Sequence, residues 1–141
     1  MAGEFETKPS GFDMEGVSQK KDYFVGSICD YSGRRGWFMG HFMPPEQSLQ
    51  QTDQVETAVM TLPVTDEAKP HFHRLGTEVT YCIRGSLRLL VGKPPREVRL
   101  DEGQFIIVPP GTPLQNPSNE AGTQVFVVKF PSIPQDKFYT E

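Results

Sequence analysis

Cysteine is scarce in this chain of 141 residues: there are 2, Cys29 and Cys82, far apart and in no C-x-x-C pair. That excludes a disulfide framework and a thiolate zinc knot, so both are read as free thiols. Long apolar runs are missing as well. No stretch approaches the roughly 20 residues of a membrane helix, and the opening segment, Met1 to Gly11, is polar with no apolar signal region. Basic clustering is also absent. With 14 Lys plus Arg against 18 Asp plus Glu, the net charge is −4 and no basic stripe forms, which sets aside nucleic acid and anionic membrane as partners. The expected location is the cytoplasm. Histidine is another scarcity, with 3 in the chain, and two of those stand one residue apart.

What is abundant is punctuation. Thirteen Gly and thirteen Pro cut the chain into brief apolar runs, too short and too β-branched for helices. The pattern predicts an all-β domain with strands over 23–29, 36–43, 55–62, 70–73, 77–83, 86–91, 97–100, 104–108 and 124–130. Their spacing of roughly ten residues suits a sandwich or barrel. One core is expected from 36% hydrophobic content, enough to bury roughly two-thirds of the unfolded surface. Residues 1–22 and 131–141 lack a period and read as N- and C-terminal arms around a domain at 23–130. Strand parity puts Leu87, Leu89 and Val91 on an inner face, and Thr80 and Cys82 on the face of Glu78. Met60 and Phe105 read as core. The runs Phe105-Ile106-Ile107-Val108 and Val125-Phe126-Val127-Val128 are apolar on both faces. That suggests strands covered on both sides, by a second subunit of a homodimer or by an arm.

The chemistry concentrates in His71-x-His73-x4-Glu78-x6-Gly85. Alternate residues of an extended strand share a face, so His71 and His73 point the same way. Gly76 permits a tight turn, after which Glu78 opens the neighbouring strand and meets both imidazoles. Two histidines and one carboxylate leave coordination positions open, where a structural zinc site would use four protein ligands. The alternative is a histidine pair held by hydrogen bonds or standing in solvent.

These residues resemble the cupin superfamily. Its first motif, G-x5-H-x-H-x3/4-E-x6-G, is matched by His71, His73, Glu78 and Gly85, with Thr65 at the leading glycine. Its second, G-x5-P-x-G-x2-H-x3-N, is matched by Gly103, Pro109 and Gly111, with Leu114 at the histidine and Ser118 at the asparagine. The resemblance implies a small single-domain jelly-roll barrel, a double-stranded β-helix, over about 25–130. It also implies a divalent transition metal, Fe, Mn, Ni, Co or Zn, held by His71, His73 and Glu78. Leucine cannot ligate, so the fourth place falls to water or substrate, to Gln115 after a register slip, or the metal is lost. The expected function is a metal-binding cupin, an enzyme of oxygenase, isomerase or lyase type acting on a small polar organic substrate. The competing reading is a non-catalytic small-molecule binder, with or without metal. His41, on one strand face with Trp37, Met39 and Met43, is a rim, core or supporting histidine. Cys82 is read as a small buried hydrophobe, Tyr81 as outward-facing and Arg88 as a solvated charge.

Overall fold

The computed structural model describes residues 22–140. The expected N-terminal arm, 1–22, lies outside them apart from Asp22. Ten strands form: β1 (Trp37–Met39), β2 (Glu56–Thr61), β3 (His71–His73), β4 (Thr77–Arg84), β5 (Ser86–Val91), β6 (Arg96–Asp101), β7 (Phe105–Val108), β8 (Leu114–Asn119), β9 (Gln124–Phe130) and β10 (Lys137–Tyr139). They pair antiparallel into two five-stranded sheets, β1-β2-β9-β4-β7 and β10-β3-β8-β5-β6. This is the expected jelly roll.

Several local expectations change. The strand expected over 36–43 ends at Met39, so His41 lies in the turn that follows and not on a strand face with Met43. No strand forms over 23–29; the chain there is exposed and leads into a 3-10 helix, Ile28–Arg34. Gly26, Ser27, Asp30, Ser32 and Gly33 favour turns, and no neighbouring strand offers pairing to outweigh them. Strand β8 forms where none was expected, because Pro113 and Pro117 read as strand breakers. Its pairing with β5 is irregular between Arg88 and Leu90, which accommodates a proline inside it. Strand β10 falls within the expected C-terminal arm, 131–141, and lies along β3 of the same chain, with Phe138 stacked on Phe72.

Period-two alternation sorts the side chains. The interior is built from Ala58, Cys82, Val108, Val125 and Val127 of the first sheet and Leu87, Leu89, Leu100 and Leu114 of the second. Inner residues of β2, β9 and β4 align in cross-strand rungs. Met60, Val125 and Cys82 form one, Ala58, Val127 and Thr80 the next, and Glu56, Lys129 and Glu78 the third. One end of the barrel is therefore packed and apolar while the other carries charge. Phe105, expected in the core, is 62% exposed: it faces outward opposite Tyr81. The parity of β7 points Ile106 and Val108 inward instead.

Gly85 closes the β4–β5 turn at φ +87°, and a Cβ there would collide with the backbone and side chain of Thr123. Gly111 has a similar φ of +85° but open space around it. Gly85→Ala should cost about 2–4 kcal/mol, from left-handed backbone strain plus overlap, and Gly111→Ala only about 1 kcal/mol. Urea midpoints of the two variants check this; equal losses would remove the role given to Thr123.

Candidate functional site

Strand β3 carries His71 and His73 inward, as the alternation predicts. The turn after it does more than reverse the chain. It crosses from one sheet to the other, so Glu78 does not sit on a strand paired with β3 but reaches the histidines from the facing sheet. The Asp136 carboxylate fixes this crossing by accepting from Leu75 N–H at 3.0 Å and Gly76 N–H at 2.8 Å. Sequence spacing gives the three side chains one neighbourhood; a C-terminal aspartate holds it.

His73 is buried, and its Nε2 lies 3.0 Å from Glu78 Oε1. Thr80 Oγ1 donates to the other carboxylate oxygen at 3.4 Å. The His71 and His73 rings stand 5.2 Å apart at 76°. One donor atom from each of the three residues lies within 4.8 Å of the others. Ligands at roughly 2.0–2.2 Å from a shared cation sit about 3 Å apart, a separation the His73–Glu78 pair already has. The donor set, two imidazoles and a carboxylate, is one that divalent transition metals take.

Charge and burial keep His71 and Glu78 in ligating form. Burial, helped by the Lys137 charge, lowers the pKa of His71 from 6.5 to about 4, so its imidazole is neutral at ordinary pH. Burial alone would raise that of Glu78. The hydrogen bond from His73 and the Lys129 charge outweigh it, and the carboxyl stays ionised below its usual range. Leu114 faces His71 across the β3–β8 pair and is buried in the core. Gln115 borders the same cavity, but its amide is engaged there, donating to Ala68 C=O at 3.2 Å. Neither residue completes a fourth protein ligand.

The three residues line a cavity of about 840 Å³ with a second polar group that the spacing argument did not reach. Lys129 Nζ lies 3.0 Å from Glu56 Oε1 and 5.0 Å from the centre of the Trp37 ring. His41 Nδ1 lies 2.7 Å from Ser132 Oγ and 3.3 Å from Glu56 Oε2. A signal was available. Glu56 shares a parity with Ala58 and Met60, and Lys129 with Val125 and Val127, so both charges fall on apolar strand faces. Cys82, by contrast, is fully buried in the packed end and does not line the cavity; burial raises its thiol pKa.

Residues 58–128 match the family described as the cupin domain. No curated protein matches the chain in sequence. Among solved structures, Streptomyces PAC13 with uridine superposes with a TM-score of 0.57 at 14% identity, covering 65% of this chain and 72% of that one. The polyketide cyclase RemF from Streptomyces resistomycificus gives 0.56 at 20% identity, covering 67% and 66%. KdgF from Halomonas sp. gives 0.53 at 17%, covering 59% and 74%. At these identities the likeness is one of fold.

The shifted His71 makes stability depend on pH. Between its folded value of about 4 and its ordinary 6.5, the unfolded chain binds more protons, so stability rises with pH. Glu78, lowered in the fold, loses its contribution only as pH falls below its ordinary 4.5. Chelator-treated protein should lose about 2 kcal/mol from pH 6.5 to 4, allowing for the partial exposure of His71. Thermal melts across that window should show it, and His71→Gln should flatten the slope; an unchanged slope would assign it elsewhere.

Proposed function

The chain belongs to the cupin family, and we propose from that premise that it is a metal-dependent enzyme acting on a small, polar, anionic organic molecule inside its barrel. The observation that carries this reading is the convergence of His71, His73 and Glu78 on one corner of the cavity. They would hold one divalent transition metal, Fe, Mn, Ni, Co or Zn. Such an ion supplies Lewis acidity, and the coordination places left vacant by Leu114 are where water or substrate would meet it. The protein's own part is to keep His71 neutral, Glu78 ionised and the floor of the cavity dry.

The cavity mouth supports the anionic character of the substrate. Arg34, Arg35, Lys69 and Lys137 line it, are exposed, and have no ion-pair partner among the described residues. Two acids of the same lining are engaged by backbone: Asp66 accepts from Ala68 N–H and Asp136 from Leu75 and Gly76. An excess of unpaired cations around a cleft raises the local concentration of anions. The second reading, a binder without turnover, is favoured by Leu114 and by the hydrogen bond through which His73 and Glu78 already satisfy each other. Two free thiols suit a reducing compartment, and the cytoplasm goes with this reading.

We also assign a homodimer to the outer face of the first sheet. Tyr81, Ile83, Phe105, Ile107 and Phe130 stand exposed there on adjacent strands, a contiguous apolar surface of the kind that soluble monomers rarely leave open. No helix among the described residues is long and apolar enough to cross a membrane.

Protein purified from metal-supplemented medium should carry about one divalent metal per chain, and His73→Ala should lose it by at least tenfold, roughly the lower bound for a lost ligand. Elemental analysis reads this; metal retained when both His71 and His73 are alanine overturns the metal site. Screening small carboxylates and phosphate esters for metal-dependent product separates enzyme from binder, since the binder gives thermal stabilisation alone. Ile107→Asp, at a site 59% exposed, should leave folding intact and give a monomer by sedimentation. A wild-type monomer would remove the assigned interface.

A further inference from the structure

His41 has a hydrogen-bonding pattern that fixes its tautomer. Ser132 Oγ donates its one proton to Glu56 Oε2 at 2.9 Å. Toward His41 the same oxygen can therefore only accept, and it does so twice, from the His41 backbone N–H at 2.9 Å and from ring Nδ1 at 2.7 Å. Nδ1 must carry the proton, which leaves the lone pair of the neutral ring on Nε2. Nε2 has no partner among the described residues. It is not fully enclosed: the His41 side chain is 26% exposed, and Thr57 Oγ1 is the one fully buried side-chain polar atom among them left unsatisfied. The ring lines the cavity.

The support behind the ring is charged and closed. Glu56, with a side chain 9% exposed, receives Ser132 on one oxygen and Lys129 on the other. It lies 3.3 Å from His41 Nδ1, where it would stabilise the ring once protonated. Ser132 is itself pinned, its N–H donating to Asp53 C=O at 2.9 Å. The titratable groups facing His41 are Glu56 and, behind it, Lys129; Phe42 packs edge-on against the ring.

We propose that His41 is a second chemical centre of the cavity, a general base whose Nε2 takes a proton from a bound small organic acid or phosphate ester, with Ser132 and Glu56 as positioning residues. In the step, a C–H or O–H bond of the substrate breaks, its electron pair stays on the substrate, and the proton binds Nε2. That proton returns to another atom of the same molecule or to water, so no oxidant or reductant is required. The proposal rests on the reading of the cavity as a small-molecule site but not on metal at His71, His73 and Glu78.

Two measurements test it on the full chain. Long-range proton–nitrogen NMR should show His41 as the Nδ1–H tautomer, with Ser132→Ala shifting it toward Nε2–H. As a kinetic probe, nitrobenzisoxazole opens when a base removes its ring C–H proton. The wild type should open it faster than buffer near neutral pH, and His41→Gln should lose at least about tenfold of that rate while keeping its metal content and fold. An Nε2–H tautomer in the wild type, a wild-type rate no faster than buffer, or a His41→Gln rate equal to wild type would each overturn the proposal. Absence of metal from the wild type would instead strike the metal reading and leave this one standing.

Discussion

Lys129 occupies the middle of a cross-strand rung between Glu56 and Glu78, inside a barrel whose other inner rungs are almost wholly apolar. Burying a carboxylate without a counter-charge costs several kcal/mol, enough that it would take up a proton instead. One ammonium group lies beside both carboxylates, and at Glu78 it adds to the larger effect of the His73 hydrogen bond. It pairs directly with Glu56 at 3.0 Å and acts through its field on Glu78. The Trp37 ring under the ammonium, at 5.0 Å, supports the cation where water is limited. If Lys129 were removed, Glu56 would lose its ion-pair partner and Glu78 one of the charges that lower its pKa. Both polar groups of the cavity hang on that rung.

The rung lies where it does because β2, β9 and β4 keep their register from Glu56, Lys129 and Glu78 as far as Met60, Val125 and Cys82. From the packed end to the mouth, inner positions run from Met60, Val125 and Cys82 through Ala58, Val127 and Thr80 to the charged rung. Hydrophobic burial at one end fixes the strands, and the fixed strands hold the charges at the other. Leu114 belongs to this scheme. On the second sheet it faces His71 and joins the core, so the place where the family's second motif supplies a ligand is here part of the apolar wall.

The same alternation explains what could be read from the chain. Two strands, Ser86–Val91 and Gln124–Phe130, have the expected bounds because each is an apolar-rich run flanked by turn residues. The three residues His71, His73 and Glu78 were legible because all lie within eight positions, and local spacing is what a sequence displays directly. What was illegible depends on distant partners. Strand β8 contains a proline and exists because β5 and β3 offer it pairing. The outward turn of Phe105 follows from its register against Tyr81 rather than from its own neighbours. Asp136, which holds the turn before Glu78, and Ser132, which orients His41, come from the segment read as an arm. Thr65 and Ser118, two of the three positions that depart in type from the family's motifs, pair with each other in an isolated bridge, a juxtaposition no linear reading could anticipate.

Distance along the rung gives the cavity its chemical logic. Glu56 and Glu78 stand on strands two apart, about 10 Å between backbones at the usual strand spacing, with Lys129 between them. His71, His73 and Glu78 lie at one end of this rung, and His41, held by Ser132 and Glu56, lies beside the other. Lys129 stands between the two groups, paired with Glu56 at 3.0 Å and acting on Glu78 through its field. In the proposed reading, a metal at the first end would polarise a small molecule and the oriented imidazole near the other would move its proton. Glu56 serves Lys129, Ser132 and His41 at once, and an apolar residue of the same parity would leave all three without that partner.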